Sequence, residues 1–176
     1  MNDNLHWQRR LEALEAKESI ATVMAEYLYQ VDRNRDRDVL SQLFARDAVW
    51  EALGNLREMG VTKSRRAIVD MLVALPETLS FTAHFIGNPV ITVADDAMAG
   101  RGRWHTLELM SKGGVDPAEI VCIAWYDNDF VFEGGKWQIS HVRYEDSLVF
   151  PFTEGWRNTR YVSMLTGEKI ASNGAS

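Results

Sequence analysis

The spacing of apolar residues changes once along this chain, near Ser80, and no other feature limits its possible folds as strongly. Before Ser80, apolar residues recur every three to four positions, which is typical of amphipathic helices. After it, they alternate with polar residues in long runs, which predicts antiparallel strands joined by short turns. Because the helices precede the strands instead of alternating with them, the sequence predicts an α+β fold with helices packed on one face of a sheet.

Four helices are predicted in the first half of the chain. Their ranges are Trp7–Leu14, which is separate from or kinked against the next, Ile20–Val31, Val39–Phe44 and Ser64–Leu75. Either Asp36 or Asp38 is expected to cap the third helix, and Ser64 to cap the fourth. Pro76 is expected to end the fourth helix, because proline cannot continue a helical hydrogen-bond ladder.

Long strands follow in the second half, and a short one around Trp50 precedes them. The predicted long strands are Ser80–Val93 (bent at Gly87-Asn88-Pro89), Ala97–Met110, Glu119–Glu133 and Trp137–Phe150. Strands of this length must curve strongly to stay compact. A curved sheet closed by helices forms a cone around an internal cavity, which is the usual shape of a small-molecule site.

Composition excludes several classes of function. There are 19 Lys and Arg against 25 Asp and Glu, a net charge of −6, which argues against a nucleic-acid surface. No apolar run approaches the roughly 20 residues of a membrane span, and the N-terminus does not resemble a signal peptide, so a cytoplasmic protein is expected. The single cysteine, Cys122, is expected to be a buried structural thiol. The four histidines lack zinc-ligand spacing, so no metal is expected.

The last predicted strand has an unusual face. Trp137, Ile139, His141, Arg143 and Glu145 share that face if side chains alternate, and it is apolar at first and polar later. A face of this kind is expected where a strand passes from the core into a polar pocket. A strand that simply runs out of the core into solvent would give the same pattern.

His84 lies inside an apolar stretch of the strand that begins at Ser80. It is either a core histidine satisfied by a carbonyl or a general base, and a base needs a carboxylate to orient its ring. Asp32 could be that carboxylate, because it falls on the edge of the apolar stripe of its helix, but it also belongs to a charged run. Tyr27 lies at the centre of the stripe and is either a core residue or a hydrogen-bond donor to the cavity.

Two further polar residues lie on the strand Ala97–Met110. His105 and Glu108 have opposite parity, so without a bulge only one of them can face inward. Aromatic residues could line the wall of a site for a ring-shaped apolar ligand or belong to the core. They are Trp50, Phe81, Phe85, Trp104, Trp125 and Trp137.

Several segments together resemble a known family. They are Ile20–Asp32 (IATVMAEYLYQVD), Leu43–Trp50 (LFARDAVW), Phe81–Val93 (FTAHFIGNPVITV), Trp125–Val131 (WYDNDFV), Gly135–Ile139 (GKWQI) and Pro151–Trp156 (PFTEGW). In this order and spacing they resemble the SnoaL-like branch of the nuclear-transport-factor-2-like (NTF2-like) superfamily, which has a cone-shaped α+β fold. The resemblance implies one domain over residues 1–176 with its core at about 18–156.

The resemblance also implies an activity. Enzymes of this branch include scytalone dehydratase, bile-acid 7α-dehydratase and hexachlorocyclohexane dehydrochlorinase, which eliminate water or HCl without a cofactor, using a histidine base paired with an aspartate. The motif carries these roles onto His84 and Asp32, with Tyr27 on the same helix as Asp32. A basic residue of the last strand corresponds best to Arg143, with His141 as the alternative.

The predicted function is therefore a cofactor-independent lyase or isomerase of the dehydratase type, acting on a small, apolar, cyclic hydroxylated or carbonyl compound. His84 and Asp32 would remove a proton, and Tyr27 with Arg143 or His105 would stabilise the developing oxyanion or assist the leaving group. Predicted substrate-binding residues are Trp50, Phe85, Trp104 and His141. The alternatives are a non-catalytic β-type subunit of a ring-hydroxylating dioxygenase and a ligand-binding or cyclase-like protein. A homo-oligomer, trimer or dimer, is expected.

Overall fold

A computed structural model describes residues 2–112, 118–163 and 168–169 of the chain. Its helices are α1 (Asn2–Asp32), α2 (Arg37–Leu43), α3 (Arg65–Ala74) and α4 (Gly155–Asn158), with 3-10 turns at Gly54–Met59 and Leu75–Glu77. Its strands are β1 (Phe44–Leu53), β2 (Val61–Lys63), β3 (Leu79–Val93), β4 (Ala99–Lys112), β5 (Ala118–Glu133) and β6 (Lys136–Pro151). The predicted α+β fold is confirmed.

The six strands form one curved sheet in the order β2-β1-β6-β5-β4-β3. The pairing of β1 with β6 is parallel and every other pairing is antiparallel. The sheet does not close, so β2 and β3 are its edges. Helix α1 packs chiefly on β3 and α3 on β1, so the helices cover the inner face of the sheet.

Helix α1 is continuous over 31 residues, so the helix predicted at Trp7–Leu14 is not separate from the one at Ile20–Val31. The sequence between the two stripes, Glu15–Ser19, contains neither glycine nor proline and so does not interrupt the helix. The stripe Ile20–Val31 is buried as predicted. Trp7, Leu11 and Leu14 are instead 56–61% exposed.

The predicted helix caps are confirmed in two positions. The Asp36 side chain accepts the backbone N–H groups of Asp38 and Val39, so Asp36 and not Asp38 caps α2. Helix α2 ends at Leu43, one residue earlier than predicted. Ser64 caps α3, and that helix ends at Ala74, two residues before the proline that was expected to stop it.

Strand β6 departs from regular alternation at Ser140 and Ser147. Ile139 pairs with Phe130 while His141 pairs with Asp129, so Ser140 is an extra residue, and the register breaks again at Ser147. A bulge of this kind turns the following side chains to the other face of a sheet. The face predicted for Trp137–Glu145 is therefore wrong beyond Ile139, and Val142 and Tyr144 face the core instead.

Buried residues from all six strands except β2, together with α1, α2 and α3, form one core. Cys122 is buried in this core as predicted. Trp50 is also buried, between Ala48 and Ala52 on the inward face of β1. Within the described residues, no helix is both long and apolar enough to cross a membrane.

Candidate active site

Asp32 and His84 lie side by side where the end of α1 meets the edge strand β3. Asp32 is the last residue of α1, and the alternation of β3 turns Thr82 and His84 toward the helix. Asp32 Oδ1 lies 2.6 Å from His84 Nδ1, and Asp32 Oδ2 accepts the backbone N–H of His84 at 2.8 Å. The His84 side chain is only 8% exposed and that of Asp32 16%. The carboxylate thus fixes both the ring and the backbone of the histidine.

This contact shifts the pKa of both partners. Burial alone would raise the pKa of Asp32, but the hydrogen bonds and the charge of His84 outweigh it and hold the pKa below its usual value. Burial alone would lower the pKa of His84, but the charge of Glu108 and the hydrogen bond and charge of Asp32 raise it. The histidine therefore binds a proton more readily than a free imidazole.

Glu108 faces the other ring nitrogen of His84. Its Oε2 lies 3.5 Å from His84 Nε2 and accepts the Tyr144 hydroxyl at 2.8 Å. That hydroxyl is also 3.2 Å from Cys122 Sγ. Glu108 is 2% exposed, and burial raises its pKa. Its second oxygen, Oε1, makes no hydrogen bond of ordinary geometry among the described residues, but the Thr106 side chain on the same face of β4 acts on the carboxyl group and lowers its pKa in part.

Beside this group, a hydrogen bond joins two aromatic residues from different elements. Trp50 Nε1 of β1 donates to the Tyr27 hydroxyl of α1 at 3.2 Å. The Tyr27 ring packs edge-on against Phe44 and Tyr126. Burial raises the pKa of Tyr27 well above its usual range, so its hydroxyl remains protonated and able to donate.

A partly open space inside the fold, of about 60 Å³, separates these polar groups from α3. It is lined by Tyr27, Val31, Trp50, Met59, Met71, Leu72, Leu75, Leu79, Thr82, His84, Glu108, Met110, Tyr126 and Tyr144. A cavity of about 150 Å³ holds benzene, so this space admits only a few waters unless its wall moves. The two methionines at its rim have flexible, unbranched side chains that allow such movement.

The structure does not bring His105 into this group, which corrects the prediction that it could complete the site. His105 is exposed on the outer face of β4, where its Nδ1 lies 3.3 Å from Asn88 Nδ2 and its ring packs edge-on against Trp125. Glu108, of opposite parity, is the residue of this strand that faces inward. The sequence left these two open as alternatives, and the unbulged pairing of β4 decides between them.

Arg143 and His141 are also elsewhere, on the outer face of β6. Arg143 Nη2 lies 2.7 Å from Asp129 Oδ2, and His141 Nε2 lies 2.8 Å from Glu51 Oε1. Arg143 further contacts the His141 ring at 2.9 Å. The bulge at Ser140 is the reason, because it turns both side chains away from the core.

The four predicted substrate-binding residues do not lie together in the structure either. Trp50 lines the internal space. Phe85 is 59% exposed on the outer face of β3, while Trp104 is buried but packs against Phe130, away from that space. Phe85 also lines a second space, between α1 and β3, together with Asp32 and His84, whereas Trp104 and His141 line neither space.

Sequence reasoning missed Tyr126 and Tyr144 as members of the site. Glu108 was considered only as an alternative to His105. A signal for it exists, since it shares the parity of Trp104, Thr106 and Met110, a largely apolar face. No glycine or proline marks the bulge that turns Tyr144 inward.

The described residues contain no group of three or more His, Cys, Asp or Glu side chains that could hold a metal ion. The candidate site combines a buried Asp–His–Glu row with tyrosine hydroxyls beside a small, mostly apolar space. Such a site can move protons, because its histidine is oriented on one side and faces a second carboxyl group on the other.

Comparison with known proteins gives one family match and many similar structures. Residues 12–143, more than half of the chain, match the SnoaL-like domain model. A hexachlorocyclohexane dehydrochlorinase (LinA, type 2) has a similar structure, with a TM-score of 0.72 at 20% identity, covering 94% of this chain and 99% of that one. No match exists among the curated proteins with which the chain was compared.

Two structures from Novosphingobium aromaticivorans are similar as well. A putative scytalone dehydratase from strain DSM 12444 gives a TM-score of 0.67 at 17% identity, covering 92% of this chain and 97% of that one. A nuclear-transport-factor-2-like protein with a cystatin-like fold has a TM-score of 0.60 at 23% identity, covering 81% of this chain and 88% of that one. At these identities the similarity concerns the fold.

Proposed function

Because the chain belongs to the SnoaL-like domain family, we propose that it is a cofactor-independent lyase or isomerase of the dehydratase type. The observation that carries the proposal is the buried Asp32–His84 contact at the edge of an internal space. An aspartate that holds one ring nitrogen of a histidine fixes its tautomer and stabilises the imidazolium, so that the other nitrogen can act as a base. General base catalysis of this kind accelerates a reaction by roughly 10²–10⁴-fold.

In the proposed reaction, His84 Nε2 removes a proton from a carbon next to a carbonyl. The electron pair then forms an enolate, and the oxygen of that enolate accepts a hydrogen bond from Tyr27. One well-placed donor of this kind lowers a barrier by roughly 3 kcal/mol in a site that excludes water. Loss of a hydroxyl or halide from the adjacent carbon completes an elimination, and return of the proton to a different carbon completes an isomerisation.

The proposed substrate is a small, apolar, cyclic compound with a hydroxyl or carbonyl group. The lining supports this class, since aromatic, aliphatic and methionine side chains surround the polar residues. A ring does not fit into about 60 Å³, so binding requires Met59 and Met71 to swing away. The lining contains no Lys or Arg, which favours an uncharged substrate over an anionic one.

A panel assay tests this proposal. Wild-type protein is incubated with cyclic β-hydroxy ketones, cyclic β-halo ketones and cyclic β,γ-enones. The conjugated products are followed by their absorbance, and the halide is measured as it is released. We expect turnover of at least one compound and a loss of at least about 10²-fold in His84→Gln. His105→Gln, a histidine on the outer face, is the matched control and retains activity. Tight ligand binding that is independent of His84, without turnover, would favour the binding-protein alternative instead.

A homo-oligomer is also proposed, through the outer face of the sheet. Large, exposed apolar side chains lie close together on β3, β4 and β5, and a contiguous patch of this kind marks an interaction surface. They are Phe81, Phe85, Leu107, Leu109 and Trp125, which are 39–59% exposed. A second copy of the chain is the proposed occupant, and light scattering on wild type distinguishes trimer, dimer and monomer. Leu107→Glu should lower the measured mass, whereas Val61→Glu on the opposite edge strand should not.

A further inference from the structure

The first half of α1 carries an apolar stripe that its own fold does not cover. Trp7, Leu11 and Leu14 form this arm stripe, and their side chains are 56–61% exposed. Among the described side chains of residues 4–15, that of Ala13 is half-buried and the others are exposed. At 3.6 residues per turn, the arm stripe points roughly a third of a turn away from the buried stripe Ile20–Val31 of the same helix. The arm stripe therefore does not continue the core.

The same face of α1 leads into a groove at the edge of the sheet. This edge groove is the space of about 560 Å³ between α1 and the edge strand β3, and both Asp32 and His84 line it. Each residue of the arm stripe has a counterpart 18 positions later, which is about five helical turns. The counterparts are Ala25, Tyr29 and Asp32, and all three line the edge groove. The arm stripe and the edge groove thus lie along one side of a single helix.

The edge groove has the aromatic lining of a protein contact. Tyr29 of α1 and Phe81 and Phe85 of β3 line it and are 52–59% exposed. Aromatic side chains are enriched in protein interfaces relative to the rest of the surface. Because α1 is continuous, the arm stripe cannot fold back into the edge groove of its own chain. A matching stripe can reach the groove only from another chain.

We propose that a second copy of this chain fills the edge groove with its arm stripe, while its own edge groove receives the arm stripe of the first copy. The two α1 helices run antiparallel about a two-fold axis, so the same contact is made twice and the pair closes. The second copy then supplies Trp7 and Leu11 beside the Asp32–His84 pair, and the groove side of the candidate site is complete only in the dimer. This contact goes beyond the proposed function and does not depend on turnover.

A register with Leu11 opposite the second copy's Tyr29 also suits the middle of the helix pair. The two-fold axis then passes near residue 20, where the shared face has the small side chains of Ala21 and Thr22. Small side chains allow two helices to approach closely. Glu18, a charged residue on this stretch, lies opposite the second copy's Thr22, whose hydroxyl can donate a hydrogen bond to the carboxylate.

The available area suits a small stable dimer. Each copy offers large, half-exposed apolar side chains to the two contacts: Trp7, Leu11, Leu14, Tyr29, Phe81 and Phe85. An aromatic side chain buries roughly 150–250 Å² when it is fully covered. With these side chains covered on both copies, the buried area approaches the about 1,200 Å² at the lower end of stable interfaces. Phe81 and Phe85 also belong to the outer-face patch, so the two proposed contact surfaces are continuous.

A thiol cross-link tests the contact without any substrate. In the double variant Leu11→Cys/Tyr29→Cys, the two new thiols are about 27 Å apart along α1, so a short cross-linker cannot join them within one chain. Cys122 is buried and does not react. We expect a covalent dimer from the double variant and none from either single variant. Arg9→Cys/Tyr29→Cys is the matched control and should give none, because Arg9 lies on the opposite side of α1 from the arm stripe.

Three results of this experiment would overturn the proposal. Absence of a covalent dimer in the double variant would show that the arm stripe does not reach the edge groove of another copy. A covalent dimer from Leu11→Cys alone would show that the arm stripes pair with each other instead. Equal cross-linking of the Arg9 control would show that the contact does not depend on the stripe.

The mass in solution gives a second measurement. Leu11→Glu should lower the mass measured by light scattering, because a carboxylate is not accommodated in an aromatic groove. Arg9→Glu, a larger change of charge on the opposite side of α1, should leave the mass unchanged. Both side chains are exposed, and circular dichroism verifies that both variants fold. An equal mass for wild type and Leu11→Glu would overturn the contact, whatever the outcome of the activity assays.

Discussion

Asp32 holds His84 by two atoms at once: one carboxylate oxygen lies 2.6 Å from ring Nδ1 and the other accepts the backbone N–H at 2.8 Å. The two residues are 52 positions apart, so the contact depends on the correct docking of α1 against β3. Because backbone and ring are fixed by one carboxylate, the direction of Nε2 is set by the fold. This preorganisation is what a base needs in order to act without rearrangement.

Asp32→Asn should lower the pKa of His84. The hydrogen bond and negative charge of Asp32 both raise that pKa in the wild type, and the amide supplies no charge. Titration of the His84 ring protons by NMR measures the shift. An unchanged His84 titration would mean that the carboxylate does not act on the ring in solution.

Glu108→Gln should stabilise the protein more as the pH rises. Burial raises the pKa of Glu108, so the folded state binds its proton more tightly than the unfolded chain does. Wild type therefore loses stability above the usual glutamate pKa, and the glutamine variant escapes this loss. We expect a gain on the order of 1–2 kcal/mol at pH 8 relative to pH 5, measured by urea unfolding. An equal difference at both pH values would contradict the raised pKa.

The pH dependence of kcat/KM for the proposed elimination should have an acidic limb, because His84 acts as a base only after it has lost its proton. The charge of Glu108 and the hydrogen bond and charge of Asp32 outweigh burial and raise the pKa of His84, so this limb should lie above the usual histidine pKa. In Asp32→Asn the limb should move to lower pH. A limb that stays in place in this variant would contradict the role of the carboxylate.

Met71→Ala should enlarge the internal space and strengthen the binding of ring compounds. The side chain is partly buried in its wall, so its truncation should cost roughly 2 kcal/mol of the free energy of unfolding. Phenol binding, followed by tryptophan fluorescence because Trp50 lines the space, measures the gain in affinity. Met98→Ala, at an exposed methionine, is the control for both quantities. Weaker phenol binding by the Met71 variant would argue that ligands bind elsewhere.

Much of the fold and half of the site follow from residue spacing. The stripe of α1 placed Tyr27 inward with Asp32 at its edge, and His84 was identified within the apolar stretch of β3. Both inferences need only regular geometry. Regular geometry failed in β6, where the bulge at Ser140 moves Arg143 out of the site and Tyr144 into it.

The distinction between Glu108 and His105 required long-range information. Each residue is compatible with an inward position by itself, and only the register of β4 against its two neighbours decides which one is buried. The exposed apolar stripe at Trp7–Leu14 is a second case in which local sequence does not predict burial. Helical spacing indicated helical structure there but not that these residues stay exposed.

A double-mutant cycle on Asp32 and His84 tests the central claim most directly. Elimination rates are compared for wild type, Asp32→Asn, His84→Gln and the double variant, with the folded state of each verified by circular dichroism. If the two residues act as one base, the double variant should be no slower than His84→Gln alone, because the aspartate acts only through the histidine. Losses that multiply in the double variant would show that the two residues act independently and would contradict the dyad.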